Sequence, residues 1–317
     1  MDRKSPYLLL VIATCLWGGN FVMGKVLVTE IPPIVLALLR WTVALMITLP
    51  LFGKQIWQQR KLFLKHWKTV VFLALTGVTG FNTFTYVAVQ YTGSINAALM
   101  NSAAPIIIVV LSMIFLGEKF SVRRGIGILI SMAGVLWIIT RGSWAALTQL
   151  DFNRGDLWMI LAVALWAAYS IGVKKIAGQL PPNALLALTV IITVIVLFPI
   201  AMFELTIQKP LPPHSWTATI VGILYIGIFA SIVAFLSWNK AVAIIGPSRS
   251  ANFLNLIPLF SAIFAILFTG EHLAFFHFAG AFLILLGVYV TTRTDRRAHS
   301  QPLKSEFPEK KTTPLDI

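Results

Sequence analysis

The chain predicts an all-α polytopic membrane protein: ten transmembrane helices arranged as two inverted five-helix repeats. Its apolar composition, the spacing of its apolar runs, and a stretch that occurs twice carry that prediction. Of 317 residues, 58% are hydrophobic and 11% charged, whereas soluble domains are about half apolar and about a quarter charged. A soluble core cannot hide so much apolar surface, so most of the chain must face lipid. The net charge of +14 does not indicate nucleic acid. The basic residues sit between apolar runs and in the C-terminal tail, as in the cytoplasmic loops of membrane proteins. The single cysteine, Cys15, excludes an intrachain disulfide framework.

The duplicated stretch runs from Gly93 to Pro105 and again from Gly246 to Pro258, each followed by an apolar run ending in Gly-Glu. Gly93/Gly246, Ala98/Ala251, Pro105/Pro258, Gly117/Gly270, Glu118/Glu271, Gly127/Gly280 and Gly134/Gly287 are all 153 positions apart. Upstream, Ala13, Leu16, Trp17, Lys25 and Pro32-Pro33 recur as Ala162, Leu165, Trp166, Lys174 and Pro181-Pro182, each 149 positions on. Coincidences at fixed spacing mark an internal duplication. They also show that the basic and apolar start of the chain is a structural span rather than a cleaved leader, since it is copied mid-chain.

Apolar runs of about 17–25 residues mark spans. They fall near 6–27, 33–52, 69–90, 95–116, 123–140, 156–177, 183–204, 217–240, 248–269 and 275–292. Continuous runs of this length, without alternation, mean helices rather than barrel strands. The first repeat is assigned to 1–140, a linker to 141–155, the second repeat to 156–292, and a cytoplasmic tail to 293–317. The tail is basic, charged and poor in apolar residues, and is expected to be disordered. Its basic cluster serves as a positive-inside stop signal or touches anionic lipid. Trp57, Trp67, Trp144, Trp158 and Trp216 fall near span ends, where an aromatic belt belongs. With the N-terminus inside, about twenty Lys and Arg lie on inner segments. The outer loops hold Arg141, Arg154 and Lys209, with Lys25 at the margin. Both termini are therefore expected in the cytoplasm. An odd number of spans per repeat makes the two copies cross in opposite directions, as in secondary transporters whose substrate site lies near the midplane between the halves.

Polar residues inside spans are the candidates for chemistry. Asn101 precedes Pro105, and Asn252 and Asn255 precede Pro258. Each proline removes a backbone hydrogen bond and frees the carbonyl four residues back. Such helix breaks at matching positions of two halves point to a binding site, and they also serve as structural kinks with Asn bonding across helices. Trp17, Asn20, Trp166 and Tyr169 occupy the first helix of each copy, where they either stack on and hydrogen-bond an organic solute or simply pack. Asn82 and Tyr86 in the third span and Trp238 in the eighth belong to polar seams that face the bundle interior. Arg40 is the one strong charge well inside a span, about seven residues past Pro33, or roughly 10 Å deep. It is a candidate for a substrate carboxylate, or it snorkels to the interface. Glu118, Glu204 and Glu271 lie at span ends, with Glu118 placed to pair with Lys119 or Arg124. The absence of a mid-membrane carboxylate argues against proton-for-cation exchange. No His/Cys metal spacing, phosphate loop or buried acid–base set is present. Neither an enzyme nor a metal or other cofactor is expected. A receptor would bring a signalling domain, for which the tail 293–317 is too short.

Trp17-Gly18-Gly19-Asn20, Pro105, Leu116-Gly117-Glu118 and Gly127…Gly134, repeated as Pro258, Gly270-Glu271 and Gly280…Gly287, resemble the drug/metabolite transporter superfamily and, more narrowly, its EamA-type permeases. The resemblance covers residues 6–292. It implies a cytoplasmic-membrane permease, monomeric or homodimeric, that exports a small metabolite such as an amino acid by alternating access. It also implies a central cavity lined by the first, third and fourth helices of each repeat. Small multidrug-resistance members carry a first-helix glutamate that neither copy has here, which disfavours export of polyaromatic cations. Organophosphate and nucleotide-sugar carriers of the superfamily use several buried Lys or Arg. Arg40 and Lys240 keep an organophosphate as the alternative substrate.

Overall fold

The computed structural model of the protein describes residues 5–91, 100–143, 145, 153–212, 214–269 and 274–293. Within them, nine helices are long and apolar enough to cross a membrane: α1 (Pro6–Leu27), α2 (Pro33–Gln58), α3 (Trp67–Tyr91), α5 (Val122–Ile139), α6 (Arg154–Ile176), α7 (Pro182–Ile207), α8 (Trp216–Ile245), α9 (Pro247–Leu267) and α10 (Phe275–Thr292). The shorter Met100–Leu116, here α4, completes the ten helices expected. The chain is a multi-pass, all-helical membrane protein. Helices α2 and α8 run several residues beyond the predicted apolar cores, α2 through the polar stretch 53–58 and α8 through the apolar stretch 241–245. Residues 92–99, Trp144, Gly270, Glu271 and the tail from 294 lie outside the described residues.

Packing obeys one pseudo-two-fold rule. Helix α1 packs on α8 and α9, and its counterpart α6 packs on α3 and α4; α2 meets α7, and α5 meets α10. The last pair shows the inversion directly. A Cβ placed on Gly127 would lie 2.7 Å from the Gly287 carbonyl oxygen, and one on Gly134 would lie 2.7 Å from the Gly280 carbonyl oxygen. Residue numbers rise along one helix as they fall along the other, so the two fifth helices are antiparallel. Small residues permit that approach where lipid supplies no hydrophobic force between helices. The outward surfaces carry large apolar side chains such as Met46, Phe198, Phe229 and Phe282, and Trp57, Trp67 and Trp216 are more than half exposed at span ends, as an aromatic belt requires.

Two features interrupt the helices at matching places. Helix α3 contains a π-helical segment at Ala74–Gly80 and α8 another at Ile226–Val233. A π turn leaves carbonyls poorly paired, and polar side chains collect them here. Asn82 Nδ2 donates to the Gly77 and Val78 oxygens at 3.1 and 3.0 Å, and Ser231 Oγ to Ile226 O at 2.8 Å. The prolines mark the second interruption. Pro105 stands in the first turn of the α-helical segment Ala104–Leu116, after a turn at Ala103. Pro258 opens Leu256–Thr269 after the 3-10 segment Asn252–Asn255. The missing N–H costs nothing in a first turn.

Carboxylates organise one end of the bundle. Glu204 accepts from the backbone N–H groups of Ile34 (3.0 Å) and Val35 (2.9 Å), capping the start of α2, where the helix dipole favours an anion. In the loop after α1, Glu30 accepts from the His214 backbone N–H and from Thr219 Oγ1, both at 3.0 Å, and so ties the loop before α8. The His214 backbone bond holds the Glu30 carboxyl below the ordinary carboxylate range, against burial, which pushes it up. A lowered native value stabilises above the unfolded value and is lost as pH falls through the native one. Amide-exchange protection at His214, referred to intrinsic rates, is therefore expected to fall between about pH 5 and pH 3, and Glu30→Gln to show that loss already at neutral pH. Protection independent of pH in the wild type would refute the tie. At the opposite end Glu118 meets Arg124 at 3.7 Å.

Candidate functional site

The matching first helices carry matching tryptophans, and the fold brings them together. Trp17 of α1 and Trp166 of α6 meet edge to face with centroids 5.2 Å apart. Both contact Trp238 of α8 at 5.6 Å, and both meet Phe235 edge to face at 5.8 and 5.6 Å. Phe81 of α3 lies 4.9 Å from Trp166, Tyr169 stacks on Trp166 at 5.3 Å, and Trp41 of α2 joins through Phe235 at 5.3 Å. This aromatic centre draws on both halves and lies where α1, α3, α6 and α8 converge. The rings touch, so in this conformation the centre is packed shut.

Its polar atoms are unequally served. Trp17 Nε1 donates to Ala230 O at 3.1 Å, a carbonyl inside the π segment of α8. Tyr169 exchanges two hydrogen bonds with Asn239, at 2.9 and 2.7 Å. The buried indole N–H groups of Trp41, Trp166 and Trp238 have no acceptor among the described residues, and Asn20 Oδ1, one turn beyond Trp17, has no donor. A buried donor left unpaired costs about 1–3 kcal/mol, and native proteins keep few of them.

Arg40 is 1% exposed and does not snorkel. Its Nε donates to Ser231 Oγ at 2.9 Å, and Nη1 to Asn82 Oδ1 at 2.9 Å and Tyr86 Oη at 3.0 Å. The guanidinium lies 5.0 Å from the ring centroid of the neighbouring Trp41. Asn82 and Tyr86, read in sequence as one polar seam, thus meet Arg40 inside the bundle.

Asn252 and Asn255 bond elsewhere. Both are buried and belong to a network with the fifth helices: Ser131 Oγ donates to Asn252 Oδ1 at 2.5 Å, Asn255 Nδ2 to Ser131 Oγ at 2.7 Å, and Asn252 Nδ2 to Thr291 Oγ1 at 2.9 Å. Their hydrogen bonds run to the α5–α10 crossing, not to the aromatic centre, which is the structural use of Asn. Asn101 is half-buried at the start of α4. The sequence reading missed Trp41, Phe235 and Ser231. Apolar surroundings hid the first two, and nothing local distinguishes Ser231 from other hydroxyls in spans. Among the described residues, no group of three His, Cys, Asp or Glu side chains could hold a metal ion.

The model of the EamA-like transporter family matches residues 4–140 and again 153–293. The chain is 27% identical to a probable amino-acid metabolite efflux pump of Salmonella typhimurium over 300 residues, covering 92% of this chain and 95% of that one. The uncharacterized transporter YyaM of Bacillus subtilis is 27% identical over 91% of this chain and 93% of its own. An uncharacterized transporter of Archaeoglobus fulgidus is 28% identical over 92% and 98%. A crystal structure with 18% identity superposes with a TM-score of 0.76, covering 94% of this chain and all of that one; it shows the same fold.

Proposed function

Because the chain belongs to the EamA-like transporter family, we propose that it exports a small metabolite, an amino acid or a related compound, across the cytoplasmic membrane by alternating access. The two inverted halves rock about the aromatic centre, and both termini face the cytoplasm. The observation that carries this reading is the set of unpaired indole donors of Trp41, Trp166 and Trp238 where the halves meet. Thr83, Ser112 and Ser248 also keep hydroxyls unpaired among the described residues, but three orphaned donors gathered where the halves meet are what a site looks like before a solute with acceptor atoms enters it. Trp17, Trp166, Tyr169 and Trp238 supply flat apolar faces, and Asn20 supplies an unpaired acceptor oxygen. The efflux pump named above supports amino acids as the class to test first. The Lys and Arg bias between the two ends supports the orientation.

Counterflow in proteoliposomes, with a panel of labelled amino acids and with or without an imposed pH gradient, is expected to reveal exchange of at least one member. A response to the gradient beyond substrate ionisation would require a proton-carrying group. No exchange by demonstrably folded protein would remove amino acids from consideration.

A further inference from the structure

Arg40 is a buried cation for which the protein supplies no counter-charge among the described residues. Its three hydrogen-bond partners, Ser231, Asn82 and Tyr86, are neutral. The ion pairs Arg124–Glu118 and His214–Glu30 form at the ends of the bundle. The buried acids Glu30 and Asp156 lie at helix ends as well. Arginine cannot escape the cost of burial by losing its proton, and an uncompensated charge in a low-dielectric interior is a standing electrostatic demand for an anion. One donor is left over: Nε and Nη1 are engaged, whereas Nη2 makes no hydrogen bond among the described residues. The guanidinium also borders the proposed substrate site. It lies over Trp41, whose ring meets Phe235, which in turn meets Trp17 and Trp166.

Resting on the transport reading above, we infer that Arg40 is the receptor for a carboxylate of the transported solute, so that the substrates of this protein are carboxylic acids. One carboxylate neutralises that cation, and the ammonium of an amino acid is left to the aromatic faces of Trp17 and Trp166. A phosphate monoester, carrying close to two negative charges at neutral pH, would leave an uncompensated negative charge in the membrane. The planar fork of the guanidinium matches a carboxylate. Its neutral partners hold the side chain in place without competing for the charge.

The experiment uses full-length protein in proteoliposomes. Labelled leucine, phenylalanine and 3-phenylpropionate are offered for counterflow, together with their amides and phenyl phosphate. At least one acid is expected to exchange, with its amide roughly tenfold or more weaker as a competitor, which corresponds to the loss of one charge-assisted hydrogen bond, and with phenyl phosphate inactive. In Arg40→Gln the KM for that acid should rise by at least the same factor, with the smaller change in kcat, while Arg40→Lys keeps part of the affinity. An amide that competes as well as its acid, or a folded Arg40→Gln with unchanged KM, overturns the inference. If Arg40→Gln does not reach the membrane, the acid–amide comparison in the wild type decides alone. Exchange confined to amides or to phenyl phosphate sinks the carboxylate receptor and leaves transport standing. Wild-type protein that exchanges none of the panel overturns both.

Discussion

Gly134→Leu is expected to eliminate most folded protein from the membrane, seen as loss of the monodisperse peak in size-exclusion chromatography of a fluorescent fusion. A Cβ at this position would sit 2.7 Å from the Gly280 carbonyl oxygen and 2.8 Å from both the Ile284 nitrogen and the Leu283 Cβ. Two of these neighbours are backbone atoms of α10, which cannot rotate away, so α5 and α10 would have to separate. Separation would also open the Gly127–Gly287 crossing and strain the Ser131, Asn252 and Thr291 network beside it. Overpacking costs about 1–3 kcal/mol in ordinary cores, and a loss of that size shifts the folded-to-unfolded ratio by roughly 5–30-fold or more. Gly117→Ala provides the contrast. Gly117 has φ +64°, and a methyl group there would meet nothing within 4 Å, so only the left-handed backbone penalty of about 1–2 kcal/mol applies. That variant should fold, with a lowered melting temperature. Equal abundance of the two variants would mean that the fifth-helix crossing does not hold the halves together.

The second large effect is expected at the aromatic centre, where stability and transport should separate. Trp166→Phe and Trp238→Phe each delete a buried donor that has no partner among the described residues, while Trp17→Phe deletes one that serves Ala230 O. All three leave a similar small void. The bonded N–H contributes about 1 kcal/mol net, so Trp17→Phe should melt at a lower temperature than the other two. Transport should fall in Trp166→Phe and Trp238→Phe, by roughly tenfold for each donor that a solute uses, since about 1.4 kcal/mol is a factor of ten. Flux per molecule at the wild-type level in both Trp166→Phe and Trp238→Phe would show that their unpaired donors are not used by a solute.

Sequence alone determined the number and kind of helices, the duplication and the inversion that follows from it. These are properties of the chain in one dimension: runs of apolar residues have a length, and repeats have a spacing. The correspondence of Trp17 with Trp166 was legible for the same reason, since identical residues at one offset mark equivalent places in the two copies; that their rings meet was not. Tertiary structure alone decided who meets whom. Arg40 finds Ser231 across 191 positions, and Asn252 and Asn255 turn towards Ser131 and Thr291 on the fifth helices. The π segments of α3 and α8 re-aim everything beyond them without a residue signature of their own. In a soluble helix the apolar stripe fixes its rotation about the axis. Here lipid is as apolar as the core, so hydropathy says that a helix spans the membrane but not which face it turns inward. The polar atoms buried between the halves make that choice.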